Sequence, residues 1–250
     1  MNNMDALQAI VLAGGKGTRL DCADSPKVML EIAGKPMIDY SLENLKKAGF
    51  QKPVLIVGFQ AQKIKDHLKD QVIYANQPEQ LGTADAVKMA EPFVNKNTKN
   101  ILSVYGDDSA FYDPKTIINL VNDHLKKQPA ITLLTVEPKS PSGLGRIIRN
   151  QDGSVAEIIE EKLASVEQKK IKEINTGCYI FRADFLWSAL KKVKKNKVGE
   201  YYLTDLIEIA RGEHQKVNAY KIDAREWIGV NTAEDLKAAE EAMKKKIQYG

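Results

Sequence analysis

A regular alternation constrains this chain more than any other feature. Short apolar runs at 9–12, 54–57, 72–74, 101–105 and 131–136 are separated by segments at 36–48, 60–69, 84–91 and 114–127 whose apolar residues recur every three or four positions. Continuous apolar runs this short read as buried strands, and the three-to-four spacing is the period of an amphipathic helix. Pro36 and Pro114 suit the first turns of their helices, where a missing N–H leaves no bond unmade. Strand, helix, strand, helix over 7–137 implies right-handed βαβ units and an open, mostly parallel sheet. Ligands of such sheets bind beyond the carboxyl ends of the strands, which directs attention to 13–27, 76–83 and 106–109.

After Pro138 the pattern changes. Residues 145–149 and 155–159, joined by Asn150-Gln151-Asp152-Gly153, read as a hairpin. A polar, exposed stretch at 164–173 precedes a strand near 177–181, helices near 184–194 and 203–211, a strand at 217–222 and a long helix at 232–247. No Pro/Gly/Ser-rich linker or repeat interrupts the 250 residues. The expectation is one three-layer, Rossmann-like α/β domain over 1–250, with a mixed, mostly parallel sheet and a hairpin-bearing sub-region at about 138–215.

Composition narrows the function classes. Lys plus Arg number 37 and Asp plus Glu 33, a net charge of +4 that is too small and too scattered to indicate a nucleic-acid groove. No apolar run approaches the roughly 18 residues of a membrane span, and Met1-Asn2-Asn3-Met4-Asp5 is no basic leader. Cys22 and Cys178 are the only cysteines, which excludes a disulfide framework and a Cys-built zinc site and fits a reducing compartment. His67, His124 and His214 form no His-x-x-x-His pair, so a histidine zinc site is disfavoured as well. We read the histidines and cysteines as structural and the chain as cytoplasmic, with no membrane or nucleic-acid partner.

Directly after the first strand stands Leu12-Ala13-Gly14-Gly15-Lys16-Gly17-Thr18-Arg19. Its three glycines in four positions let backbone N–H groups turn inward around phosphate, with Lys16 and Arg19 adding charge. Lys16 precedes Gly17, so this is not a Walker loop. Leu20 stands where a dinucleotide fingerprint needs its third glycine, which disfavours a nicotinamide dehydrogenase. A tight strand-to-helix turn is the plain alternative. Pro26-Lys27 follows seven residues after Arg19, where a rigid proline could aim a second cation back at the same phosphates; alone, Lys27 would read as a surface lysine.

These residues resemble the signature of nucleotidyltransferases that join a nucleoside triphosphate to a sugar 1-phosphate. The likeness continues in order through Gln77 and Gln80-Leu81-Gly82-Thr83-Ala84, Tyr105-Gly106-Asp107, Gly143-Leu144-Gly145-Arg146, Ile159-Glu160-Glu161-Lys162, Ile174-Asn175-Thr176-Gly177, Gly199-Glu200-Tyr201-Tyr202-Leu203-Thr204-Asp205 and Gly229-Val230-Asn231. The set is most similar to the uridylyltransferase domain of bacterial bifunctional N-acetylglucosamine-1-phosphate uridylyltransferase/glucosamine-1-phosphate acetyltransferases.

The resemblance implies Mg²⁺-dependent uridylyl transfer from UTP to N-acetylglucosamine 1-phosphate. It implies catalytic roles for Arg19, Lys27 and Asp107, and Mg²⁺ held by Asp107 and Asn231. Leu12, Ala13, Gly14, Gly15, Lys27, Gln77, Gly82 and Thr83 would bind the nucleotide. Tyr105, Gly106, Gly145, Glu160, Asn175, Tyr202 and Thr204 would bind the sugar. Chemically, Asp107 ends a buried strand and Mg²⁺ takes hard oxygen ligands; a turn or cap role is the alternative for Asp107. Asn231 could cap the helix near Thr232, Thr83 could start its own, Glu160 could be merely exposed, and Tyr202 could be core. Asp108 stands where relatives often carry an apolar residue. No six-residue periodicity is present, so no acetyltransferase β-helix is expected, and the chain is expected to be a monomer or weak homo-oligomer. Glucose 1-phosphate as acceptor and a non-catalytic nucleotide-sugar sensor remain rival readings.

Overall fold

The strands form where both faces of the chain are apolar, because helices cover the sheet on either side. A computed structural model of the chain describes residues 6–17, 20 and 25–249. Seven strands make the spine of the sheet: β1 (Leu7–Leu12), β4 (Val54–Val57), β5 (Ile73–Asn76), β6 (Asn100–Tyr105), β7 (Ile131–Val136), β10 (Ile174–Arg182) and β11 (Val217–Lys221). Their spatial order is β11-β7-β10-β6-β1-β4-β5. All are mutually parallel except β10, which runs antiparallel to both β6 and β7. A hairpin of β8 (Arg146–Arg149) and β9 (Val155–Ile159) hangs from the start of β10, where Ile174 pairs with Arg146.

On β1, Ile10 and Leu12 face one core and Ala9 and Val11 the other. The first core is closed by α3 (Thr83–Lys88), α6 (Ala183–Leu190) and α7 (Asp205–Gly212). The second is closed by α1 (Met37–Lys47), α2 (Ala61–Leu68) and α4 (Pro114–Lys127). Burial on both faces is why the strands read as unbroken apolar runs rather than as alternation. The expected three-layer, mostly parallel architecture is what forms. No helix among the described residues is long and apolar enough to cross a membrane.

The sequence reading and the structure part at several places. Pro114 opens α4 behind Asp113, whose carboxylate accepts from Lys115 N, but Pro36 caps α1 from outside and ends a small hairpin of β2 (Glu31–Ile32) and β3 (Lys35–Pro36) that the periodicity did not reveal. The polar stretch at 164–173 holds a single turn, α5 (Val166–Lys169), fixed by a reciprocal cap between Ser165 and Gln168. Glu173 at its end is buried, held by Arg149 and Thr135. β10 begins three residues earlier than expected, with a register irregularity between Asn175 and Tyr179 centred on Gly177. The terminal helix α8 spans Ala233–Tyr249.

Candidate active site

Three adjoining cavities open at the carboxyl edge of β1, β5 and β6. The first, of about 280 Å³, is bounded by Leu12, Ala13, Gly14 and Gly15 after β1, by Gln77, Gly82 and Thr83 after β5, and by Lys27 and Asp107. Gln77 is buried, and its Nε2 donates to Gly82 O at 3.1 Å and to Asp85 Oδ2 at 2.8 Å. Both amide hydrogens are thereby engaged, so Gln77 offers this cavity an acceptor rather than the donor-and-acceptor pair that the residue type allows. Gly82 holds φ +104°, and a Cβ there would lie 2.4 Å from Tyr201 O. Only glycine permits this approach. Tyr201 N donates to Leu81 O and Ala84 N to Tyr201 O, while Thr83 Oγ1 accepts from Leu203 N. Thr83 is thus a tie between two loops, and its side chain does not cap α3.

The second cavity, of about 310 Å³, shares Lys27, Tyr105 and Asp107 with the first. Lys27 forms an ion pair with Asp107 Oδ2, and its Nζ donates to Asn231 Oδ1 at 3.4 Å. Asp107 does stand in a turn, its carbonyl accepting from Ala110 N at the start of the 3₁₀ turn Asp108–Ala110, but its side chain makes no capping bond and is left to Lys27. The capping alternative for Asn231 falls away. Thr232 Oγ1 accepts from Asp235 N, and Asp235 Oδ2 accepts from the N–H groups of Asn231 and Thr232, so Thr232 and Asp235 form the cap. Asp108 lies in the same wall and accepts from Val230 N; burial and the neighbouring Asp107 raise its carboxyl well above the usual range. Two hard oxygen donors, from Asp107 and Asn231, therefore already converge on one cation, the Lys27 ammonium. That donor chemistry fits Mg²⁺.

The third and widest cavity, of about 740 Å³, takes in Glu160, Asn175, Tyr202 and Thr204 and shares Tyr105 with the other two. Gly145 lies in the second cavity beside Glu160 and Asn175. Glu160 is not a solvated surface residue: burial, and then Asp205, raise its carboxyl above the ordinary glutamate range. Tyr202 lines the cavity rather than filling the core. Asn175 is braced at both ends, its Oδ1 accepting from Gly177 N and its Nδ2 donating to Tyr179. Gly177, at φ +77°, makes room for Tyr105, since a Cβ there would fall 1.9 Å from the Tyr105 ring.

Gly106, between Tyr105 and Asp107, is not among the residues that line these three cavities. Gly106 packs in the core, where a Cβ would meet Ile38, Val28 and Val11; its N–H donates to Leu12 O and its carbonyl accepts from Ser41. Arg19 and Cys22 lie outside the described residues. Gln80 and Glu200, quoted in motifs but given no role, also line the first cavity. Glu200 arrives there because Tyr201 is stitched to the start of α3, a contact between segments over a hundred residues apart that no local pattern encodes. Cys178 is buried with its thiol pushed up by desolvation. His124 is buried between Thr132 and Asn100, and burial lowers its pKa to about 4. Both are structural.

With the site assembled, comparison with known proteins is decisive: the family model described as nucleotidyl transferase matches residues 8–246. The chain belongs to this family. It is 42% identical over 240 residues to the Bifunctional protein GlmU of Exiguobacterium sibiricum, covering 95% of this chain and 53% of that protein. It is 38% identical over 246 residues to the Bifunctional protein GlmU of Acetivibrio thermocellus, covering 98% of this chain and 53% of that one. The chain thus spans about half the length of these curated relatives. A UDP-glucose pyrophosphorylase solved with UDP-glucose superposes with a TM-score of 0.81 at 21% identity, over 96% of this chain and 98% of that one. A putative glucose-1-phosphate thymidylyltransferase from Bacillus anthracis, solved with sucrose, gives 0.82 at 24% identity over 98% of each chain. At those identities the two structures speak to the fold alone. The chain is a nucleotidyltransferase by family and by fold.

Proposed function

We propose that this domain transfers a uridylyl group from UTP to N-acetylglucosamine 1-phosphate, giving UDP-N-acetylglucosamine and pyrophosphate. The observation that carries the reading is the shared wall of Lys27, Tyr105 and Asp107, which sets the cavity behind the glycine-rich turn and the more polar cavity beside Glu160 and Asn175 on either side of one cation, the Lys27 ammonium. The likeness to GlmU proteins over nearly the whole chain supports the choice of substrates. Gln77 presents an oxygen acceptor, which suits the ring N–H of uracil, and Gly82 brings backbone close to the base.

The sugar phosphate oxygen attacks the α-phosphorus in line. A phosphate monoester is ionised at neutral pH and needs no protein base, so positioning and charge neutralisation are the domain's work. Backbone N–H groups at 14–17 receive the phosphates, the Ala13 N–H being held by Ile56 O, and Lys27 leaves Asp107 to hold the triphosphate and the departing pyrophosphate, a task that the resemblance gives to Arg19 as well. Asp107 and Asn231 would hold Mg²⁺, which when bound supplies positive charge at the reacting α-phosphate. Glu160, Asn175, Gly145, Tyr202 and Thr204 orient the sugar through its hydroxyls and acetamido group. The reading assigns the reaction to the cytoplasm, on small molecules, with neither nucleic acid nor membrane as partner, and to a monomer or weak homo-oligomer.

The test is pyrophosphate release with each pairing of UTP, ATP, GTP or dTTP with N-acetylglucosamine 1-phosphate or glucose 1-phosphate, with and without Mg²⁺. UTP with N-acetylglucosamine 1-phosphate and Mg²⁺ should be the fastest pair. Faster turnover of glucose 1-phosphate would replace the acceptor, and no release with any pair would overturn the reading.

A further inference from the structure

Arg146 is a cation that the reaction above does not use, and it is 2% exposed. It opens β8 immediately after Gly145. Its Nη1 donates to Leu144 O, and its Nη2 pairs with Glu161 Oε2 at 2.6 Å and donates to Lys169 O at 3.5 Å. One guanidinium therefore ties together the segment before β8, the segment after β9 and the end of α5. Burying an ion pair is costly, and well-packed apolar residues of similar volume often do as well or better for stability. Stability alone is a weak reason for an arginine here.

Its partners sit next to the acceptor cavity. Leu144 precedes Gly145, and Glu161 follows Glu160. A Cβ at Gly145 would stand 3.4 Å from Glu160 Oε1, so these two residues are set against each other. Glu160 and Glu161 both line the wide cavity, and as adjacent carboxylates they are chemically equivalent candidates to address a sugar hydroxyl. Arg146 separates them by taking the Glu161 carboxylate.

We propose that the Arg146–Glu161 pair is the positioning device of the acceptor side: it withdraws Glu161 from the substrate and fixes where Glu160 and Gly145 meet the sugar 1-phosphate. Neither residue of the pair touches the reacting atoms. The proposal rests on the acceptor-side reading given above, though not on which sugar is the substrate.

Four variants test it: Arg146→Met, Arg146→Lys, Glu161→Gln and the double Arg146→Met/Glu161→Gln. Steady-state constants are measured against each substrate, using the sugar 1-phosphate that the wild type turns over fastest. Displacing a positioned group by about 1 Å can cost up to roughly a hundredfold, so the KM for the sugar 1-phosphate should rise about tenfold or more in Arg146→Met. The KM for UTP should stay within about twofold, Arg146→Lys should recover part of the loss, and the double variant should be no worse than Arg146→Met alone, as residues acting as one unit are non-additive. Glu161→Gln, which keeps a hydrogen-bonding oxygen, carries the test if Arg146→Met does not fold.

Equal rises in both KM values, unchanged KM in folded variants, or additive losses in the double would overturn the proposal. Calorimetric titration of the same variants with N-acetylglucosamine 1-phosphate and with glucose 1-phosphate repeats the comparison without turnover. If the wild type prefers glucose 1-phosphate, the proposed function fails while the pair is still judged on that substrate. If the loss falls on the nucleotide side, the pair fails whatever the sugar.

Discussion

Gly82→Ala should damage both substrate sites through one methyl group. The new Cβ would lie 2.4 Å from Tyr201 O and 2.8 Å from Tyr201 N, both backbone atoms, at a φ of +104° that side chains rarely adopt. Ordinary contact begins at 3.4 Å, so Tyr201 would have to retreat by about 1 Å to restore van der Waals separation. That retreat breaks or stretches two hydrogen bonds, Tyr201 N to Leu81 O at 2.8 Å and Ala84 N to Tyr201 O at 3.0 Å. At about 1 kcal/mol net for each bond and about 1–3 kcal/mol for the backbone conformation, the cost is on the order of 3–5 kcal/mol. For a chain of this size that corresponds to a fall in Tm of roughly 10 °C. Leu203, held by Thr83, moves with Tyr201, and so do Tyr202 and Thr204 in the acceptor cavity. Thermal unfolding and steady-state kinetics on the purified variant give the answer. The KM values for UTP and for the sugar 1-phosphate should rise together. A variant with wild-type Tm and an effect on the nucleotide alone would refute the coupling of the two loops.

Asp107→Ala and Asn231→Ala should each lower kcat by roughly 10²–10³-fold while the folded fraction stays near wild type, because the charge stabilisation lost is of the transition state; wild-type turnover in either folded variant removes that residue from the metal assignment. Lys27→Met removes the ammonium that competes for both oxygens, so Mn²⁺ titrated without nucleotide and followed by paramagnetic resonance should bind about tenfold more tightly than to wild type; unchanged affinity would mean that Lys27 does not occupy the cation point. Stability should also fall with acid through His124, whose folded pKa of about 4 lies below the ordinary 6.5. The neutral form is favoured by the fold, so its contribution is complete above pH 6.5 and is lost as pH drops toward 4, by about 3 kcal/mol. Denaturant titrations of wild type and His124→Gln between these pH values should converge at the acid end, and parallel curves would refute the assignment.

The parts of the site that the sequence disclosed are those fixed by local chemistry. A buried strand ending in Asp107, a glycine-rich turn after Leu12 and a proline before Lys27 can each be read without knowing what lies across the sheet. That Thr232 and Asp235 rather than Asn231 cap the terminal helix was also within reach, because they stand three apart at its start and satisfy its N-terminus themselves. What could not be read is pairing across the fold. Gln77 looks like a two-way reader of a base until Asp85 and Gly82 engage its nitrogen. Nor does the sequence show that Ile38 and Val28 take the space where Gly106 would carry a side chain. Glu160 and Glu161 cannot be told apart until Arg146 takes one of them.

The acceptor side depends on one reversal of direction. Parallel strands need a crossover of a dozen or more residues, usually with a helix to carry the chain back along the sheet. Between Ile159 and Ile174 the chain has only the single turn of α5 and segments tied to β8, so the next strand enters from the end at which the hairpin stands. β10 is therefore antiparallel, with Tyr179 opposite Ser103 and Arg182 opposite Asn100, and its first residues rather than its last lie at the carboxyl edge of β6. That places Asn175 and Gly177 beside Tyr105, and it brings the attached hairpin, with Gly145 and Glu160, to the same edge. A parallel β10 would carry Arg182 there and leave the nucleotide cavity without an acceptor wall. In the proposed reading the inserted antiparallel strand thus turns a nucleotide-binding edge into a site for two substrates, and the irregularity at Gly177 is where Tyr105 comes to stand in the wall common to all three cavities.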